Sequence, residues 1–404
     1  MAPRTKALGT VAAVVLSLAG APAAVAQPAA AEPASGTPLL IGHRGAAGTT
    51  PENTVAAFKN GRASGADYFE IDVQLSADGV PFIFHDDTAA RTTNVEEVFP
   101  DRAQDPVTSF TWAELQQLDA GSYFGSRFAG ERIPHLDDAA RIAGGSTGVY
   151  VEIKSPKNSP GVETLVAREL EQDGSWRRLV AAGKVQVLGF DEASNREFAR
   201  LAPEIPLQQL TTVVPGPEQL ASWAGFADSV GTNYRNLGAQ NVADVRAAGL
   251  ALGVYTVNAP EAIRSMVGLG VDAITGDFPI QAARLLRGQK VLPAAPGIRI
   301  AEALNNPAGN DVQPENGEYV LLHNASERSV DVSGYAIRDA AGNVLRVGDG
   351  YLLAPGGQLR VYTGPGTSSA ERYYNGGTAS VLNNEGDSLA LWTAQDRLAD
   401  LFAN

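Results

Sequence analysis

The sequence predicts two domains of different class, an α/β domain of the (β/α)8 TIM barrel type over residues 38–290 and an all-β sandwich over residues 297–404. Three observations carry this. Eight short apolar, β-prone runs, at 39–41, 69–73, 149–153, 185–190, 206–212, 229–234, 252–257 and 273–275, alternate with helical segments. That is the pattern of parallel strands joined by crossover helices over about 250 residues. Polar side chains gather at the C-terminal ends of the early runs, where such barrels build their sites. Beyond a Pro-punctuated linker at 291–296 the pattern changes to short alternating strands separated by Gly, Asn and Pro clusters, as in a sandwich.

Taken in order, the chain starts with Arg4 and Lys6, an apolar run over 7–20 and the small residues Ala24-Val25-Ala26. Residues 1–26 therefore read as a secretory signal peptide, the run being too rich in Ala and Gly, and too short, for a membrane span. Residues 27–37 are an Ala/Pro-rich flexible leader. The first barrel strand ends in Gly42-His43-Arg44-Gly45, which places an imidazole and a guanidinium at a strand tip. Thr50 is expected to cap a helix with Pro51 at its first position and Glu52 in its first turn, the helix stopping near Gly65.

In the run 69–73, Glu70 and Asp72 are two apart, so strand alternation projects both carboxylates from one side. Asp78-Gly79 signals a turn, and 80–84 returns as the second arm of a hairpin, which excludes it from the parallel staves. With Ala77 and Asp78 as the two turn residues, 76 pairs with 79, 75 with 80 and 70 with 85. His85 then lies directly across from Glu70.

The polar stretch 88–132 is long for a connection and is expected to form small elements of its own, or a lid. The next strand delivers Glu152 and Lys154 to the same face at its end. Helices are expected at 162–172, 193–201, 217–223, 241–248 and 262–269, and sandwich strands at 319–322, 330–337, 359–362 and 388–391. His135 reads as a helix cap and His323 as a packing or surface residue.

Removing Arg4 and Lys6 takes the formal charge from −14 to −16, a balance that repels nucleic acid and anionic membranes and favours cations. No cysteine is present, so disulfides and thiolate zinc sites are excluded. Carboxylates Glu70, Asp72 and Glu152 at strand ends specify a hard divalent cation, Mg²⁺ or Ca²⁺. With His43 and His85 as proton donor and acceptor, and Lys154 or Arg44 beside the non-bridging oxygens, the set suits phosphodiester cleavage.

His43-Arg44-Gly45, Pro51-Glu52-Asn53-Thr54, Glu70-Ile71-Asp72-Val73, His85-Asp86, Arg91-Thr92-Thr93, Glu152-Ile153-Lys154 and Tyr255-Thr256-Val257-Asn258, in this order and spacing, resemble the glycerophosphodiester phosphodiesterase family across essentially all of 38–290. The resemblance implies a barrel with a small cap inserted after His85, hydrolysing glycerophosphodiesters to sn-glycerol 3-phosphate and an alcohol. It implies His43 and His85 as the acid/base pair, Glu70, Asp72 and Glu152 as metal ligands, and Arg44, Glu52 and Lys154 lining phosphate and metal. Gly276-Asp277-Phe278-Pro279 departs from the family's usual Thr-Asp-Arg-Pro, which bears on substrate preference. Residues 297–404 resemble a lamin-tail domain, an Ig-like sandwich, through Glu318-Tyr319-Val320, Val332-Ser333-Gly334-Tyr335 and Leu353-Ala354-Pro355-Gly356-Gly357. The expectation is a secreted enzyme with a small-molecule substrate, no stable membrane insertion and a cell-wall or surface partner for the tail. The alternatives are a phospholipase acting on intact lipid and a non-catalytic surface-binding protein.

Overall fold

The computed structural model describes residues 36–292 and 297–404. The signal-peptide segment, the leader up to residue 35 and the linker residues 293–296 lie outside the described residues.

The strands of the first domain are β1 (Leu39–Gly42), β2 (Tyr68–Leu75), β3 (Pro81–Ile83), β4 (Gly148–Ile153), β5 (Val185–Gly189), β6 (Leu207–Thr211), β7 (Ser229–Asn233), β8 (Ala251–Tyr255) and β9 (Ala273–Gly276). All but β3 are parallel, and β1 pairs with both β2 and β9, so the eight expected staves close into a barrel, their ends within two residues of those read from the sequence. Alternation fixes what each face buries. On β2, Ile71 and Val73 join the core shared with outer-helix residues such as Val166, Leu170 and Phe198, which leaves Glu70, Asp72 and Gln74 for the other face. Ile41, Tyr150, Leu188 and Leu210 fill the barrel's centre.

Two local expectations are corrected. The hairpin register is Val73↔Ile83, Gln74↔Phe82 and Leu75↔Pro81, one residue away from the expected pairing. Gly79 takes a left-handed φ of 77° and joins Ala77 and Asp78 in a three-residue loop, closed by Ser76 N to Val80 O at 3.0 Å. Thr50 does not cap the first helix. Its hydroxyl donates to Ala46 O, and the helix α1 (Val55–Ala63) starts later, with Thr54 Oγ1 accepting from Ala57 N. The difference frees Glu52 and Asn53 from the helix to reach the site.

The insertion at 88–132 folds around its own core, with Val95, Val107, Phe110, Leu115 and Leu118 fully buried and the Arg102 guanidinium 3.9 Å from the Phe110 ring centre. His135 caps Leu136–Ala143, its Nδ1 accepting from Asp137 N.

The second domain packs two four-stranded sheets. One contains Ile298–Leu304, Tyr319–Asn324, Gln358–Tyr362 and Arg372–Tyr374. The other contains Ala336–Arg338, Val344–Arg346, Ser388–Trp392 and Leu398–Ala403. The expected strand 330–337 is broken at Ser333-Gly334 into Val330–Asp331 and Ala336–Arg338. The second sheet rests on the barrel: Phe278, just after β9, is buried against Ala336, Ala390, Trp392 and Leu401.

Candidate active site

At the tip of β1, Gly45 makes the turn that delivers His43 and Arg44. Its φ is 89°, and a Cβ there would lie 2.6 Å from the Ala57 carbonyl carbon, so a side chain is excluded twice over. The Arg44 backbone N donates to Glu70 Oε2 at 2.7 Å, its Nη1 donates to Glu52 Oε1 at 2.7 Å, and its Nε lies 3.5 Å from Asp72 Oδ2. Asn53, also left-handed, donates from Nδ2 to Asp72 Oδ2 at 2.7 Å.

Parallel pairing of β2 with β4 sets Asp72 directly beside Glu152. Glu70, Asp72 and Glu152 are all buried, with oxygens within 4.8 Å of one another. Lys154 Nζ lies 3.1 Å from Glu152 Oε1 and 3.7 Å from Asp72 Oδ1. Every residue singled out from the sequence is thus in one cluster, and His85 lines the same cavity as His43, Arg44, Glu70, Glu152 and Lys154. The ladder continues one step beyond β3, with Phe84 N donating to Asp72 O at 2.9 Å, but its register does not set His85 across from Glu70. Past β3 the chain is held by Gln74, whose buried amide donates to the carbonyls of Phe84 at 2.8 Å and Asp86 at 3.1 Å. Replacing Gln74 with Leu strands those carbonyls, costs about 1–3 kcal/mol in a denaturant titration and frees the His85 segment. A tenfold or greater loss of kcat is expected.

Each histidine is oriented by a carboxylate: His43 Nδ1 is 2.6 Å from Asp277 Oδ1, and His85 Nδ1 is 2.7 Å from Asp86 Oδ1. A carboxylate only accepts, so Nδ1 carries the proton and Nε2 is left for chemistry on both rings. Asp277 is held in turn by Asn258 Nδ2 at 2.6 Å, and Asp86 by Arg91, which also reaches Glu52.

Charge in the cluster is unbalanced. Glu52, Glu70, Asp72, Asp86 and Glu152 face Arg44, Arg91 and Lys154. Burial pushes Glu70 well above its ordinary value, with Asp72 and Glu152 adding to the rise, and burial then Asp72 push Glu152 up as well. For Asp72 burial is outweighed by His85, Lys154 and Arg44, which hold it down, and for Glu52 burial is outweighed by Arg44 and Arg91, which bring it to about 2. Glu70 Oε1 is buried without a partner, the state expected of an oxygen meant for a cation. The three carboxylates fit a hard divalent ion.

Linkage gives this a pH signature. A carboxyl raised on folding contributes stability that is complete below its unfolded value, 4.5 for Glu70, and lost as pH rises through the folded value. Melting temperature in chelator should therefore fall as pH climbs above that range. With excess Ca²⁺ or Mg²⁺ the stabilisation by the ion grows with pH instead, because the proton competes for the same oxygens. Thermal melts across pH with and without the ion check both trends.

The model of the glycerophosphoryl diester phosphodiesterase family matches residues 43–281, a span that contains every group described above. The chain belongs to that family. It is a phosphoric diester hydrolase of the glycerophosphodiester phosphodiesterase class. A lamin tail domain matches residues 292–403. A glycerophosphodiester phosphodiesterase of Caldanaerobacter subterraneus is 35% identical over 254 residues, 62% of this chain and 98% of that relative. A phosphodiesterase of Oleispira antarctica, solved in complex with the product sn-glycerol-3-phosphate, is 27% identical with a TM-score of 0.55, covering 62% of this chain and 97% of its own. A glycerophosphodiester phosphodiesterase from Agrobacterium tumefaciens is 29% identical with a TM-score of 0.51, over 62% of this chain and all of its own.

Sequence reasoning did not assign Asp277, Asp86, Arg91, Asn53 or Gln74 to the site. Asp86 adjoins His85, and Gln74 continues the Glu70, Asp72 alternation, so both carried a local signal. Asp277 lies 234 residues from His43, and only barrel closure joins them.

Proposed function

We propose that this family member is a secreted, metal-dependent phosphodiesterase that hydrolyses glycerophosphodiesters to sn-glycerol 3-phosphate and an alcohol by acid–base catalysis from His43 and His85. The observation that carries the mechanism is the pair of carboxylate-oriented imidazoles lining one cavity with Glu70 and Glu152.

The barrel pocket encloses about 260 Å³ between this polar floor and the apolar Leu188, Phe190, Leu210 and Tyr255. That is the low end of small-molecule sites, and it suits the glycerol phosphate half of a diester. In this reading Lys154 and Arg44 bind the phosphate's non-bridging oxygens. One imidazole takes the proton of the attacking hydroxyl at Nε2, and the other, protonated, gives its Nε2 proton to the leaving alkoxide. Glu52 fixes the Arg44 guanidinium. Ca²⁺ or Mg²⁺, held by Glu70, Asp72 and Glu152, would supply further neutralisation of charge on the phosphate.

Export is supported by the signal pattern at 1–26. Among the described residues no helix is long and apolar enough to cross a membrane. A cell-wall or surface partner for the sandwich stays part of the proposal, with the sheet containing Tyr319–Asn324 as the face turned from the barrel contact.

The test is the bond that breaks. With glycerophosphocholine, the products should be sn-glycerol 3-phosphate and choline. Phosphocholine and glycerol, or faster release from intact phosphatidylcholine, would overturn the assignment.

A further inference from the structure

A second cavity, of about 250 Å³, lies between the barrel mouth and the sandwich. Glu52, Tyr123 and Asp277 line it from the barrel, and Arg338, Arg346 and Trp392 from the sandwich. It meets the barrel pocket along two bonded pairs. Glu52 accepts from Arg44 and Asp277 from His43, the first member of each pair lining this cavity and the second the barrel pocket. The two cavities therefore adjoin at the barrel mouth, with these pairs as their common wall.

The chemistry of the second cavity is that of unsatisfied donors. Trp392 is 7% exposed, yet its Nε1 has no hydrogen-bond partner, and neither has the buried Arg338 Nε. Among the described residues neither Arg338 nor Arg346 forms an ion pair. Buried donors without acceptors are costly unless a ligand completes them. The aromatic walls do not favour a quaternary ammonium. The Arg338 guanidinium already lies 4.8 Å from the Phe124 ring centre and 5.8 Å from that of Trp392, so the positions a cation would take over those rings are filled. The Glu52 carboxylate is neutralised by Arg44 and Arg91. The other two carboxylates lining the cavity are engaged as well, Asp277 by His43 and Asn258, and Asp339 by Asn343 N at 2.6 Å and Nδ2 at 2.7 Å, so the groups left open there are the donors of Arg338 and Trp392. Phe278, where the family usually has Arg, holds the sandwich in this position through its apolar contacts.

We propose that this cavity is the subsite for the leaving alcohol, and that the sandwich selects diesters with a polyol headgroup whose hydroxyl oxygens accept from Arg338 and Trp392. The proposal rests on the phosphodiesterase reading above. It makes the appended domain part of the substrate site, with the invariant glycerol phosphate half left to the barrel.

The experiment is steady-state kinetics of the full chain with glycerophosphoglycerol, glycerophosphoinositol and glycerophosphocholine, for wild type, Arg338→Gln and Trp392→Phe, with thermal melts to confirm folding. Wild type should favour the two polyol substrates in kcat/KM by about tenfold. Each substitution should raise KM for those two fivefold or more, kcat moving less than twofold, while the choline substrate responds less than the polyols. Equal changes for all three headgroups, or none, would overturn the subsite and leave the phosphodiesterase reading standing. No turnover of any diester by wild type would overturn that reading and this one with it. Arg338→Gln, at a partly exposed position, keeps the test sound if Trp392→Phe unfolds.

Discussion

Chelating divalent cations should abolish glycerophosphodiester turnover, a fall of about 10³-fold or more, and adding back Ca²⁺ or Mg²⁺ should restore it. The size follows from the charge in the cluster. Glu70, Asp72 and Glu152 are buried within 4.8 Å of one another, and Glu70 Oε1 has no partner. Lys154 and Arg44 alone leave that charge in excess, and a dianionic transition state brought beside it is repelled. Lewis-acid neutralisation is worth several kcal/mol, and about 4 kcal/mol corresponds to a thousandfold. Asp72→Asn and Glu152→Gln should reproduce most of the loss at ordinary cation concentrations, with Glu152→Gln partly rescued by raised cation.

His43→Ala and His85→Ala should each lower kcat by roughly 10²–10⁴-fold with little change in thermal stability. Both rings are partly exposed, with side-chain exposures of 21% and 27%, so neither substitution opens a buried cavity. If the two imidazoles serve one step, the double variant should cost much less than the product of the single losses. Asp277→Asn keeps the shape but lets the His43 ring take the other tautomer, and should lower kcat by about 10²-fold or more. Asp86→Asn should cost less, because Arg91 reaches Glu52 as well as Asp86 and stays anchored. Kinetics with glycerophosphocholine at saturating cation check all five variants.

Much of this site was legible because its logic is local. Glu70 and Asp72 share a face through strand alternation, Glu152 and Lys154 repeat the device, and His43-Arg44-Gly45 sits at a strand tip. The barrel followed from alternation of strands and helices, since parallel strands require crossovers. Three features resisted for physical reasons. The hairpin slipped by one residue because left-handed Gly79 adds a third loop residue, and pairing cannot be counted from a two-residue turn that is absent. Thr50 and Thr54 both suit a cap, and what decides is the pull of Glu52 and Asn53 toward Arg44 and Asp72, a tertiary effect. The cavity between the domains needed Phe278 and Trp392, 114 positions apart, to meet. The departure at Phe278 was visible in the sequence, but not that a second domain would cover it.

The central claim is that Glu70, Asp72 and Glu152 together hold one divalent cation in the cleft of the two histidines. Calorimetric titration of Ca²⁺ and of Mg²⁺ into chelator-treated protein, near neutral pH, tests it most directly. For at least one of the two ions the account predicts one site per chain, with affinity lost at least tenfold in Glu70→Gln. Binding of neither ion, or equal binding by wild type and Glu70→Gln, would contradict it.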